Sequence, residues 1–392
     1  MGHVQEKKLT PAGGTNMLLF GMIAVGVATF FGGLAVNAQR TWFSFLLNHA
    51  MFLGLAVGAV FFMVMHYLAS SGWIVAVRRV PEAMASWIFV AFVMNVVLLF
   101  GLSKIYPWMD HELMHNDHML HHKAGFFSTG FYTFRILAFY AVACFFTWKL
   151  LRLSTSQDEL GGVENTQKTK PVSALFLVFF CPLFTVFATD LIKSLDPKWF
   201  STIFGVYVFI GFLQAGVAAT VVITRMLQKH GYRQEVTADH FHDLGKYLKG
   251  FSVFWAYIAV SQYLLIWYAN LPEETTYYMA RQVPGWMGWS LLVPVLRFFL
   301  PFVFLLPRMA KRTGGYLEKV CWVVLVGAWV DLYWLIMPHL LPNGVSIGWQ
   351  DLGLLVGFLG AFAFVVRRFL SRNNVVPVKD PYLHETLHHH VM

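Results

Sequence analysis

The sequence predicts an all-α polytopic membrane protein. It should have ten transmembrane helices: two four-helix bundles related as a parallel repeat, plus two peripheral helices. Three observations predict this. The 392-residue chain is 57% hydrophobic and 17% aromatic but only 12% charged, more apolar surface than a soluble fold hides. Apolar runs of about 20 residues, the length that spans a bilayer, recur along it. And the word WFSFLLNHAMFLG, at 42–54, returns as WFSTIFGVYVFIG at 199–211.

The runs cover residues 15–36, 43–68, 82–103, 129–150, 172–192, 199–225, 247–270, 286–307, 317–338 and 348–370. Backbone groups in lipid need partners within the protein, and runs this long satisfy them as helices rather than as barrel strands. A polar segment, 1–14, precedes the first run without a small-residue cleavage site, so that run is expected to be retained. Residues 15–41 form the first peripheral helix, 42–198 the first bundle, 199–340 the second, 341–371 the other peripheral helix and 372–392 a tail. The stretches 154–170 and 229–249 read as polar loops, the second with a short amphipathic helix.

The repeat rests on three matches in order. Each copy of the doubled word opens a span. Arg135 lies within the fourth span and Arg297 within the eighth. The fifth ends in DLIKSLDP (190–197) and the ninth in DLYWLIMP (331–338). Four helices per unit keep both copies in one orientation, around an axis along the membrane normal.

The net charge of +9 follows from topology. Most of the 29 Lys and Arg fall on the side of the N-terminus. Only Arg40, Lys104, Lys123, Lys193, Lys198 and Arg281 fall on the other. The positive-inside rule then places both termini in the cytoplasm, and no nucleic-acid partner is needed to explain the basic balance. Cys144, Cys181 and Cys321 stand singly in spans, which gives no iron–sulfur or covalent haem motif. His49 and His66 share one span about 25 Å apart and cannot ligate one haem.

Charged groups within spans are costly and mark function or pairing. One set falls in the outer half: His49, Arg135, Asp190, Gln262, Tyr263, Glu273, Glu274, Arg297 and Asp331. It reads as a proton path or a quinol head-group pocket, or as two structural ion pairs, Arg135–Asp190 and Arg297–Asp331. A second set, His66, Glu82, His242 and Asp243, sits at the cytoplasmic end. It reads as a proton entry or as interfacial capping. His111, His115, His118 and His122 are spaced four, three and four, as on one helix face. An exposed loop is the simpler reading of that segment and of LHETLHHH in the tail, and no metal site is assigned.

The stretches LASSGWIVAVRRVPEAM (68–84), SLDPKWFSTIFGVYVF (194–209), HDLGKYLKGFSVFWAYIAVSQYLLIWYANLPEET (242–275) and PYLHETLHHH (381–390) resemble the NrfD-like (polysulfide-reductase-type) membrane subunits. They are most similar to the second such subunit of bacterial alternative complex III. The resemblance implies ten spans in two bundles within the bacterial cytoplasmic (inner) membrane. It implies a cofactor-free subunit of a quinol:electron-acceptor oxidoreductase, in a respiratory or photosynthetic chain, with menaquinol or ubiquinol as substrate of the complex. The implied partners are another NrfD-like subunit, an iron–sulfur subunit and c-type cytochrome subunits. Asp190, Gln262, Tyr263, Glu273, Glu274 and Asp331 are the polar channel positions it implies. The family pattern has an aromatic after Asp190, where this chain has Leu191. A secondary transporter and a structural scaffold are the competing classes.

Overall fold

The computed structural model describes residues 7–10 and 13–391, apart from the side chain of His111. Every element in them is helical. The chain is a multi-pass helical membrane protein. Nine of the described helices are long and apolar enough to cross a membrane: α1 Gly13–Leu68, α2 Val75–Leu99, α3 Thr129–Leu160, α4 Glu164–Leu195, α5 Phe204–Lys229, α6 Ala238–Ala269, α7 Pro284–Phe304, α8 Gly314–His339 and α9 Trp349–Arg372.

At 56 residues, α1 would be about 84 Å long if straight, far more than one bilayer. It breaks at Asn37, whose backbone is non-helical (φ −152°, ψ 90°). The Asn37 side chain accepts the Arg40 N–H at 3.0 Å, which caps the second arm. The first two predicted spans therefore abut at one capping residue, and the boundary falls at 37 rather than after 41.

Two predicted loops and the tail are corrected. Residues 154–170 are almost wholly helical: α3 runs on to Leu160 and α4 begins at Glu164. The turn uses Gly161 and Gly162 at φ +68° and +71°, backbone that glycine adopts without a Cβ penalty. Most of 229–249 is the start of α6, capped by Thr237 in a capping box with His240. The tail is not free. Val375 donates its N–H to the Lys7 carbonyl and Leu9 donates to that of Leu370, so both terminal segments meet on one face.

The helices α1, α2, α3 and α4 pack in a closed cycle, as do α5, α6, α7 and α8. The cycles join where α1 crosses α5. A Cβ on Gly58 would lie 2.2 Å from the Phe212 carbonyl oxygen, and one on Gly216 would lie 2.8 Å from the Gly58 carbonyl carbon. The doubled word opens both crossing helices, and its closing glycine, Gly54 or Gly211, is a close-approach position in each. A Cβ on Gly54 would meet the Phe212 ring at 2.4 Å, and one on Gly211 the Arg297 guanidinium at 2.7 Å.

The first arm of α1 pairs with α9, with Gly26 against Gly357: a Cβ on Gly26 would lie 2.5 Å from the Gly357 Cα. Membrane helices associate through such small-residue contacts. Gly26→Val should therefore destabilise the chain by about 1–3 kcal/mol. Gly21→Val, at a site with nothing within 4 Å, should not. Thermal unfolding of both variants in detergent checks this.

Candidate functional site

The two predicted Arg–Asp pairs form, and they differ. In the first cycle Arg135 donates from Nε and Nη2 to both oxygens of Asp190, at 2.7 Å each. Its Nη1 donates to the Phe126 carbonyl at 2.8 Å, and the Phe126 ring lies 3.8 Å from the guanidinium carbon. Such a bidentate fork is the strong geometry for this pair, and it leaves little for a third group. Leu191, where an aromatic was expected, is buried, and its carbonyl accepts from the Tyr106 hydroxyl at 2.8 Å.

In the second cycle the pair is loose. Arg297 Nε stands 3.4 Å from Asp331 Oδ2. Both Nε and Nη1 lack a hydrogen-bond partner among the described residues. The other carboxylate oxygen of Asp331 accepts from the Tyr207 hydroxyl at 2.6 Å. Arg297 is 1% exposed and Asp331 4%. A small cavity opens beside them, lined by Met51, Tyr207, Gly211, Arg297, Asp331 and Leu335 among others. It offers about 10 Å³ to the centre of a water molecule, roughly the room one water needs.

The local backbone explains the loose geometry. The Arg297 carbonyl would normally receive the N–H four residues on, but that residue is Pro301 and has none. The helix widens into a π turn over Val295–Phe299, a rare feature that often marks functional positions. Gln214, on α5, donates Nε2 to the freed carbonyl at 2.8 Å and to the Ser252 hydroxyl at 2.6 Å. Trp255 lies under the guanidinium, 5.4 Å away.

Arg281 follows the short helix Pro272–Met279. It is 1% exposed and makes no carboxylate pair among the described residues. It donates to the carbonyls of Tyr277, Trp334 and Leu335 at 2.8, 3.1 and 3.0 Å, negative ends of helix dipoles. It also lies over the Tyr277 ring at 3.5 Å. Burial lowers its pKa. Burial pushes the Tyr277 phenol up to about 12, with Arg281 opposing. Gln262 donates to the Tyr278 hydroxyl at 3.1 Å, and Tyr263 packs edge-on to that ring.

The outer set therefore divides. His49 lies in the first cycle, near Asn95 Oδ1 (3.2 Å) and the Tyr140 hydroxyl (3.4 Å). Gln262 and Tyr263 meet at Tyr278. Glu273 is exposed, Glu274 is partly buried, and neither has an ion-pair partner among the described residues. Tyr207, Gln214, Trp255 and Arg281 were missed. Tyr207 sits inside the doubled word but opposite Ala50 in the other copy, so the repeat gave no signal for it.

The set at the terminal face also divides. Glu82, fully buried, is held by Arg79 (2.6 Å), Arg78 (3.2 Å), Ser154 (2.5 Å) and Tyr67 (3.2 Å). The same arginines bind Asp158 (2.6 Å) and, on the tail, Asp380 (2.5 Å). His66 is apart, bonded through Nδ1 to the Phe62 carbonyl at 2.7 Å. Asp243 lies 3.9 Å from His242, 3.0 Å from Lys246 and 2.7 Å from His389. The expected exposure of LHETLHHH is overturned in part: Thr386 is buried and donates to the Trp73 carbonyl at 2.6 Å. Polar contacts to α2 and α6 dock a segment whose sequence reads as solvated.

The His-rich loop is exposed as expected, but its single helix face is not there. Asp117 (φ −94°, ψ 114°) splits it into His111–Asn116 and His118–His122, each capped by an aspartate. Among the described residues no three His, Cys, Asp or Glu converge as metal ligands.

Compared with known protein families, the chain matches none. It matches no curated protein either.

Asp190→Ala should strand the Arg135 charge and cost about 3–5 kcal/mol, while the double variant Arg135→Met/Asp190→Leu should recover most of that loss. Thermal unfolding of the two variants checks it.

Proposed function

We propose that this chain is a membrane subunit of a quinol:electron-acceptor oxidoreductase, of the alternative complex III type, and contributes a proton path. On this reading it has ten spans, because α1 supplies two, in two four-helix bundles. Both termini lie in the cytoplasm. Iron–sulfur, cytochrome c and second NrfD-like subunits are its partners. The resemblance of 68–84, 194–209 and 242–275 supports the complex.

One observation carries the proton role: a buried Asp331, shared between Tyr207 and an incompletely paired Arg297, facing a water-sized cavity. Asp331 is the group to which we assign the proton, and a water in the cavity would carry the proton to or from it. We assign the proton role to this site and quinol oxidation to the complex as a whole.

The π turn between Pro294 and Pro301 favours a second reading, a secondary transporter, since broken helices build such sites. Solute uptake by vesicles holding this chain alone would support it.

In the assembled complex, Asp331→Asn should leave quinol oxidation near wild type and lower proton release per electron in sealed vesicles. Loss of both would assign the site to quinol chemistry. Loss of neither would make Asp331 structural.

A further inference from the structure

We infer that the face carrying the termini holds a binding site for an anionic phospholipid, between α6 and the end of α7. Lys249, on α6, is partly buried with its Nζ 5.4 Å from the Phe302 ring on α7. It has no carboxylate within pairing distance among the described residues. Lys246, one turn earlier, is paired to Asp243 at 3.0 Å and half exposed. Arg308, just past α7, is exposed and donates to the Val391 carbonyl at 2.8 Å. Lys311 donates to the carbonyls of Leu305, Leu306 and Pro307 at 2.7, 3.1 and 3.1 Å. This closes the end of the helix without cancelling the charge. Arg312 pairs with Asp239.

Among the described residues the cluster thus sets five cations against two carboxylates. Its charges feel one another: burial, then Lys249 and Lys246, hold the Lys311 ammonium below its usual range. Some other basic groups on this face are matched. Arg78, Arg79 and Arg225 each have a carboxylate partner. Topology explains where the cations of the cluster lie, and among the described residues three of the five, Lys249, Arg308 and Lys311, have no carboxylate partner.

Directly beside the cluster runs an open apolar strip. On α6 it begins at Gly250, where an added Cβ would meet nothing within 4 Å. It continues through the exposed Val253 and Tyr257, and α7 adds the exposed Val303 and Phe304. A phosphate at Lys249 and Arg308 with acyl chains along this strip satisfies both halves of the surface. Free phosphate satisfies one, and a zwitterionic lipid carries no net charge to match the excess. Basic pockets beside membrane helices hold acidic headgroups in this way.

Native mass spectrometry and thermal unfolding of the full chain in detergent test this. Phosphatidylglycerol should give retained adducts and a raised Tm, whereas phosphatidylcholine and inorganic phosphate should give neither. Lys249→Gln/Arg308→Gln should lower adduct retention about tenfold or more. Lys170→Gln, an exposed cation elsewhere on the face, should leave it unchanged. Three results would each overturn the site: equal binding of phosphatidylcholine by the wild-type chain, equal stabilisation by phosphate, or equal loss in Lys170→Gln. The first two need no variant to fold.

Discussion

Lipid does not solvate polar groups, and the interior of this protein is arranged around that constraint. Each buried arginine has been given something negative, by a different route. Arg135 takes a carboxylate fork. Arg79 shares two acids, Glu82 and Asp158. Arg281 has no acid and rests on three helix-end carbonyls. Backbone follows the same rule: the carbonyl that Pro301 leaves empty is met by Gln214, at the cost of a π turn. Against this background Arg297 stands out, because its nearest carboxylate is held more closely by a tyrosine.

The contrast between the two Arg–Asp pairs is the main functional information in the fold. They sit on corresponding helices of the two cycles, Arg135 and Asp190 on α3 and α4, Arg297 and Asp331 on α7 and α8. In one, aromatic stacking and a bidentate fork fill every approach. In the other, Gly211 leaves the space that the guanidinium occupies, and Tyr207 draws the carboxylate away. A pair that is satisfied holds helices. A pair that is only partly satisfied, beside room for a water, is where we propose that a proton is exchanged.

Much of this was legible in the sequence, for specific reasons. Apolar runs give the crossing helices because hydropathy and length have few other solutions. Asp190 and Asp331 stood out because charges inside such runs are rare. Gly54 and Gly211 were visible as the last letters of a repeated word, although their close contacts were not. What escaped notice was polar structure outside the lipid. Residues 154–160 and 238–246 are polar enough to read as loops, yet they extend helices that meet other polar elements. The tail looked solvated because His, Glu and Asp usually are, and only the fold shows that Arg78 and Trp73 receive it. Tyr207 and Trp255 were hidden by abundance, in a chain where aromatic residues are everywhere. The His-rich loop misled in the other direction, since a helical spacing on paper crosses a capped break at Asp117.

The contact between the terminal segments bears on how the molecule is made. Lys7 and Leu9 precede α1, whereas Leu370 lies at the end of α9 and Val375 after it. Glu82 and Arg79 are made early, but the segment of tail that binds their partners Arg78 and Asp158 is synthesised only after α9. Until then the dense group of charges around Glu82 lacks the partners that the tail supplies. The clasp therefore works as a closing step, in which an early-made polar surface waits for a late-made segment, and a chain that stalls before residue 380 would leave that surface open to inspection by chaperones and proteases.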